Sequence, residues 1–95
     1  MKIEHKQQED GGAFLLGDEG AIKGEMTYDL VPDKALVINH TEVDEALRGK
    51  NFGEQLVSAA VDYARSNRLK IIPICSFASS VFEKTKEYQD VLGKA

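Results

Sequence analysis

The 95-residue sequence predicts a mixed α/β fold: an antiparallel meander, then a crossover helix, a parallel fifth strand and a C-terminal helix. Three observations support this prediction. Four strand-like segments follow one another with short turns between them, as in a meander. The hydrophobic period then becomes that of a helix, and a continuous apolar run follows the helix. A strand–helix–strand order favours a right-handed crossover, which makes the flanking strands parallel.

Composition and turn chemistry predict the first four strands. The first segment alternates in polarity, the second is a short apolar run, and the third places Ile22, Gly24, Met26 and Tyr28 on one face. The fourth segment is rich in β-branched residues. Turns are predicted where acidic residues, glycine or proline cluster. The predicted strands span residues 2–7, 13–18, 21–30 and 35–43.

An amphipathic helix is predicted from Phe52 over roughly 15 residues, because apolar side chains recur at helical spacing. Asn67 is predicted to end it in a left-handed conformation. The apolar run at 69–75 is typical of a strand covered on both faces. Pro73 fits such a strand only if one side is unpaired or the strand diverges from its neighbour. A last helix, in one piece or two, is predicted over 79–92.

Length and composition limit the function classes. The length suits one domain, so residues 1–95 are interpreted as a single domain with a modest core, and a monomer is expected. A net charge of −4 argues against nucleic-acid binding. One cysteine excludes an internal disulfide, and no side chains have metal-ligand spacing. The lack of a leader-like or membrane-spanning pattern predicts a cytoplasmic protein.

The junction between the fourth strand and the helix is a candidate binding site. Gly49 permits a positive φ, and Asn51 tolerates the left-handed region. Unpaired amides at a helix start attract anions, and Arg48 and Lys50 add positive charge. A pyrophosphate suits this junction. A plain solvated turn is the alternative interpretation.

Residues 48–53, with the sequence RGKNFG, resemble the acetyl-CoA-binding motif of the GNAT superfamily of N-acetyltransferases. The segments at 40–43 and 71–77 extend the resemblance to its small, single-domain branch, which has a cysteine at the end of the fifth strand. The resemblance implies a GNAT-like sheet whose fourth and fifth strands diverge around the pantetheine arm. Asn51 departs from the motif, since most members have glycine there. The cofactor-binding residues implied are Val43, Arg48, Gly49, Lys50, Asn51, Phe52 and Gly53.

Cys75 and His40 are the candidate catalytic residues. Cys75 is predicted at the carboxyl end of the fifth strand, where open sheets place ligands, and His40 lies on the neighbouring strand. A thiolate attacks carbonyl carbon, and an imidazole can move the proton. The resemblance implies a cysteine near the acetyl group, either as an acetyl-cysteine or beside direct attack by the amine. In the direct route His40 or Glu42 takes the amine proton. Core packing is the alternative role for Cys75.

The predicted function is acetyl-CoA-dependent transfer of an acetyl group to an amine, on a small molecule or a protein. Two alternatives stay open at this point. One is a cysteine-dependent acyl-CoA thioesterase or acyl carrier that uses Cys75 with His40. The other is a non-catalytic coenzyme A-binding module, in which the thiol has no role. No segment of the sequence identifies the acceptor.

Overall fold

The computed structural model of the protein describes residues 1–18 and 20–93. Five strands form one sheet in the order β1-β2-β3-β4-β5; the first three pairings are antiparallel and β4 is parallel to β5. The predicted fold class is therefore confirmed. In chain order the elements are β1 Lys2–Gln8, β2 Gly11–Asp18, β3 Ala21–Val31, β4 Ala35–Val43, a 3₁₀ helix Glu45–Leu47, α1 Phe52–Asn67, β5 Lys70–Pro73, α2 Ser76–Lys84 and a second 3₁₀ helix Lys86–Val91.

The core lies between one face of the sheet and the two α-helices. Its side chains come from alternate strand positions and from the apolar stripe of each helix, so both predicted periodicities lead to the same layer. Full burial of each large aliphatic side chain contributes about 1.5–3 kcal/mol. The largest fully buried side chains are Leu16, Met26, Leu36, Ile38, Leu56, Val57, Val61, Ile71, Val81 and Phe82.

Two predictions need correction, the face on which Ile22 lies and the residue that ends α1. Ile22 is 65% exposed and does not share the buried face of Met26 and Tyr28, because the β2–β3 register shifts between Leu16 and Gly17. Arg68, and not Asn67, takes the left-handed conformation that ends α1, with φ 57°.

The last two elements also differ from the prediction. β5 spans only Lys70–Pro73 because the chain then enters α2, which begins at Ser76 and not at residue 79. The side chain of Cys75 caps the helix there by accepting the amide hydrogen of Ala78. Of the two forms that the sequence allowed, the structure has the one in two pieces, an α-helix and a 3₁₀ helix that meet at Thr85.

β4 and β5 diverge after four paired residues. Their register runs from Ala35–Lys70 to Ile38–Pro73, and the Ile38 carbonyl then accepts the amides of both Ile74 and Cys75, at 3.0 and 3.1 Å. Beyond that point β4 continues to Val43 without β5 beside it. The amides of Lys70 and Ile74 donate to the carbonyls of Lys34 and Ile38, so the even positions of β5 face β4 and strand alternation turns the Pro73 nitrogen away from the ladder. This confirms the predicted divergence.

A β-bulge at Asn39 reverses the alternation of β4. Thr27 pairs with His40 and Tyr28 pairs with Ile38, which leaves Asn39 as the extra residue. On the outer face the Thr27 hydroxyl donates to Asn39 Oδ1 at 2.5 Å, and Asn39 Nδ2 donates to Asp29 at 3.0 Å. The bulge therefore turns Thr41 toward the helices and His40 toward the open face.

Within the described residues, no helix combines the length and apolar character needed to cross a membrane.

Candidate active site

The loop between β4 and α1 has the backbone conformations that its sequence suggests. Gly49 has φ 82°, and an added Cβ atom would meet open space. Glycine therefore suits this position because of the positive φ and not because of close packing. Asn51 has φ 65° and ψ 18°, the left-handed region, and it directly precedes α1. The departure from glycine at Asn51 is therefore accommodated by one of the residue types that tolerate this region.

Consecutive unpaired amides follow this loop into the helix. In the part of the chain that the structure describes, the amides of residues 49–54 donate to no protein acceptor. The first helical bond runs from the Gln55 amide to the Asn51 carbonyl, at 3.1 Å. These amides and the dipole of the 16-residue α1 together favour an anion.

A cleft of about 420 Å³ extends from these amides along β4. β4 forms one wall, the 48–54 segment another, and the ring of Phe77 from α2 closes the side facing Gly53. A Cβ atom on Gly53 would lie only 2.6 Å from Phe77 Cζ, so this glycine lets the two helices approach. The lining residues are Thr41, Glu42, Val43, Leu47, Arg48, Gly49, Asn51, Phe52, Gly53, Glu54 and Phe77. The cleft thus includes every predicted cofactor-binding residue except Lys50.

Cys75 lies two residues beyond the end of β5, at the N-cap of α2. Its thiol is half-buried, and Sγ lies 3.3 Å from the Ala78 amide nitrogen. Sγ also lies 3.3 Å from the Thr41 hydroxyl oxygen, and Thr41 lines the cleft. The divergence of β4 and β5 therefore brings the thiol into contact with a residue of the cleft wall.

His40 lies on the exposed side of β4. Its Nε2 atom is 3.5 Å from Glu42 Oε2, and no hydrogen bond joins His40 to Cys75. The bulge at Asn39 explains this arrangement, because it gives the inward position to Thr41. Sequence reasoning missed Thr41, since a one-residue bulge leaves no signal in hydrophobic alternation.

A second polar pair was also missed. His5 Nε2 lies 2.6 Å from the Tyr28 hydroxyl, and the His5 ring stacks on Phe14 at 4.1 Å with the edge of Tyr63 at 4.5 Å. Burial lowers the pKa of His5 and, with the nearby Tyr63, raises the pKa of Tyr28. None of these four residues lines the cleft, so the pair belongs to the core beneath α1.

Residues 13–91 match the family model described as GCN5-related N-acetyl-transferase. The chain belongs to this family. The predicted family and enzyme class are therefore confirmed, and the cleft lies in an N-acetyltransferase.

Relatives of this N-acetyltransferase support the assignment. The protein NATD1 of Danio rerio is 32% identical over 76 residues, which cover 79% of this chain and 67% of the relative. The solution structure of a GCN5-like protein from Staphylococcus aureus has a TM-score of 0.72 and 41% identity, covering 97% of this chain and 89% of that one.

A more distant structure shows the fold with its cofactor in place. A GNAT family acetyltransferase from Elizabethkingia anophelis, with acetyl-CoA bound, has a TM-score of 0.63 and 17% identity. The alignment covers 83% of this chain and 53% of that structure. At 17% sequence identity, the similarity to this structure shows a shared fold and nothing more.

Proposed function

We propose that this N-acetyltransferase binds acetyl-CoA in the cleft and transfers the acetyl group to an amine, with residues 1–95 acting as one domain. The unpaired amides of residues 49–54 at the start of α1 are the observation that carries the proposal. They present several donors to one anion, and Arg48 lies beside them with an exposed guanidinium. A diphosphate matches this arrangement in charge and in number of acceptors.

The rest of the cofactor follows from the shape of the cleft. From the amides, the cleft runs along β4 past Val43 to Thr41. The part of β4 beyond Ile38 has no β5 neighbour, so its edge is available to an extended amide-containing chain such as pantetheine. The thioester then lies near Thr41 and Cys75, at the inner end of the cleft.

Two routes lead to the acetylated amine. In the direct route the amine nitrogen attacks the thioester carbonyl, a C–N bond forms, the C–S bond breaks, and coenzyme A leaves as the thiol. The amine nitrogen loses one proton to a base and the departing thiolate takes up one proton, so the reaction balances. Exposed His40 and its neighbour Glu42 are the candidate bases predicted from the sequence. In the stepwise route Cys75 Sγ attacks the thioester carbonyl, the bond to the coenzyme A sulfur breaks, and coenzyme A leaves as the thiol with the proton that Cys75 loses. The amine nitrogen then attacks the acetyl-cysteine, the bond to Cys75 Sγ breaks, and the amine proton restores the Cys75 thiol. The contact between Cys75 and Thr41 at the cleft wall favours a role for the thiol in either route.

The cofactor site can be tested by calorimetry with coenzyme A. Arg48→Glu is expected to weaken binding by about tenfold or more, because it replaces a charge-assisted donor with a repelling carboxylate. Arg68→Glu is the matched control, since Arg68 is an exposed arginine at the opposite end of α1. Titration of the labelled protein should move the amide resonances of residues 49–54. Equal affinity of the wild type and Arg48→Glu would contradict the assignment of the loop.

A further inference from the structure

The side-chain charges of the cleft oppose the anion that its backbone amides favour. Its lining carries two carboxylates, Glu42 and Glu54, and one guanidinium, Arg48. The whole chain also carries a net charge of −4. A diphosphate bound at the start of α1 would be repelled by the Glu54 carboxylate in the first turn of the same helix. A positive charge beside this carboxylate would reduce the repulsion.

Glu54 is the carboxylate in question. It lies in the first turn of α1, and its own amide is the last of the unpaired amides. A carboxylate at this position is attracted to the helix N-terminus and competes with any other anion for the same dipole. Glu54 therefore stabilises the N-terminus of α1 itself and competes with the cofactor for it, unless another group holds its carboxylate away from the amides.

Lys84, the last residue of α2, supplies the opposing charge. Its Nζ lies 3.7 Å from Glu54 Oε2. Lys84 follows Phe77 by about two helical turns, which places both on the face of α2 that meets the start of α1. Phe77 contacts Gly53 and Lys84 contacts Glu54, so α2 holds two consecutive residues of the first turn.

We propose that Lys84 is a positioning residue for coenzyme A binding, which draws the Glu54 carboxylate away from the unpaired amides and neutralises it. The inference rests on the proposed function, because it takes the 49–54 amides as the diphosphate site. Lys84 itself does not line the cleft, so its effect passes through Glu54. The pair is partly exposed, with side-chain accessibilities of 62% for Lys84 and 38% for Glu54, and its influence should therefore weaken as salt is added.

A double-mutant cycle with coenzyme A in calorimetry at low ionic strength tests this inference. Lys84→Met is expected to weaken binding about two- to fivefold, the range that one exposed charge pair at the protein surface contributes. In a Glu54→Gln background, the same substitution should have no effect. Lys84→Arg keeps the charge and should retain wild-type affinity. Lys86→Met, at a nearby exposed lysine, should also bind like the wild type.

The possible outcomes separate this inference from the proposed function. If the wild type binds coenzyme A and Lys84→Met binds equally well, the inference alone is overturned. If Lys84→Met weakens binding equally with and without Glu54, Lys84 contacts the cofactor directly and the inference is again wrong. If the wild type fails to bind coenzyme A, the proposed function falls and the inference falls with it. Thermal unfolding of each variant verifies that it is folded.

Discussion

At the scale of single residues, the contact between Thr41 and Cys75 is the most informative feature of the site. Two groups approach the sulfur, the Thr41 hydroxyl and the Ala78 amide, each at 3.3 Å. Both are polar contacts, and the amide belongs to the first turn of α2, where the sulfur acts as the capping acceptor. The surroundings of Cys75 therefore differ from those of a cysteine packed among hydrocarbon side chains.

We predict that Cys75→Ser reduces acetyl transfer while coenzyme A affinity stays unchanged, because the thiol contacts Thr41 in the cleft wall and lies outside the 49–54 segment that we propose holds the diphosphate. Thr41→Val, which removes the hydroxyl 3.3 Å from the sulfur, should also reduce transfer, whereas Thr41→Ser, which keeps the hydroxyl, should behave like the wild type. Transfer is measured as release of free coenzyme A in the presence of an amine. A Cys75→Ser enzyme with full activity would assign the thiol to packing.

At the scale of elements, the start of α1 depends on α2. The ring of Phe77 occupies the space that a Gly53 side chain would need. Gly53 thus has a packing reason as well as its place beside the unpaired amides. The resemblance to an acetyl-CoA-binding motif indicated only the second reason.

We predict that Gly53→Ala lowers the free energy of unfolding by about 1 kcal/mol, because overpacking costs about 1–3 kcal/mol and the gain in helix propensity offsets about 1 kcal/mol of this. In a Phe77→Leu background the smaller side chain leaves room for the methyl group. Gly53→Ala should then be neutral or stabilising relative to Phe77→Leu alone. Urea denaturation of the four proteins measures the coupling, and additive effects would show that the ring moves aside freely.

The elements also show what the sequence can and cannot predict. Alternation and turn residues identified all four meander strands, and the helical period identified α1, because each is a repeated signal over many residues. The bulge at Asn39 depends on one extra residue and on a hydrogen-bonded group, Thr27, Asn39 and Asp29, that comes from two strands. An analysis of hydrophobic periodicity along one segment cannot detect a feature that depends on contacts between two strands. For this reason His40 was predicted beside Cys75, where the structure places Thr41.

At the scale of the whole molecule, the sheet carries both α-helices on one face, and β1 is held to this core by His5. His5 reaches under α1 between Phe14 and Tyr63 and bonds Tyr28. In the described structure the groups nearest to it are aromatic, and no charged side chain is among its hydrogen-bond partners. A proton added to His5 therefore meets no compensating carboxylate there.

We predict that stability falls as the pH decreases from about 7 toward 5. Burial lowers the pKa of folded His5 below its unfolded value, so the unfolded chain binds more protons below that value and is favoured. Stability is fully present above the unfolded pKa and declines until the pH reaches the folded one. His5→Gln should flatten this slope in urea denaturation, with His40→Gln as the matched control at an exposed site. If the free energy of unfolding of His5→Gln fell with decreasing pH as steeply as that of the wild type, groups other than His5 would cause the loss of stability.

The single extra residue of β4 has a further consequence. Because of this residue, every side chain after Asn39 in β4 faces the opposite side of the sheet from the one that regular alternation would give it. Without that one residue, His40 would face the helices where Thr41 now does, and Thr41 and Val43 would face the open side of the sheet. The bulge therefore decides whether a hydroxyl or an imidazole lies beside the Cys75 thiol.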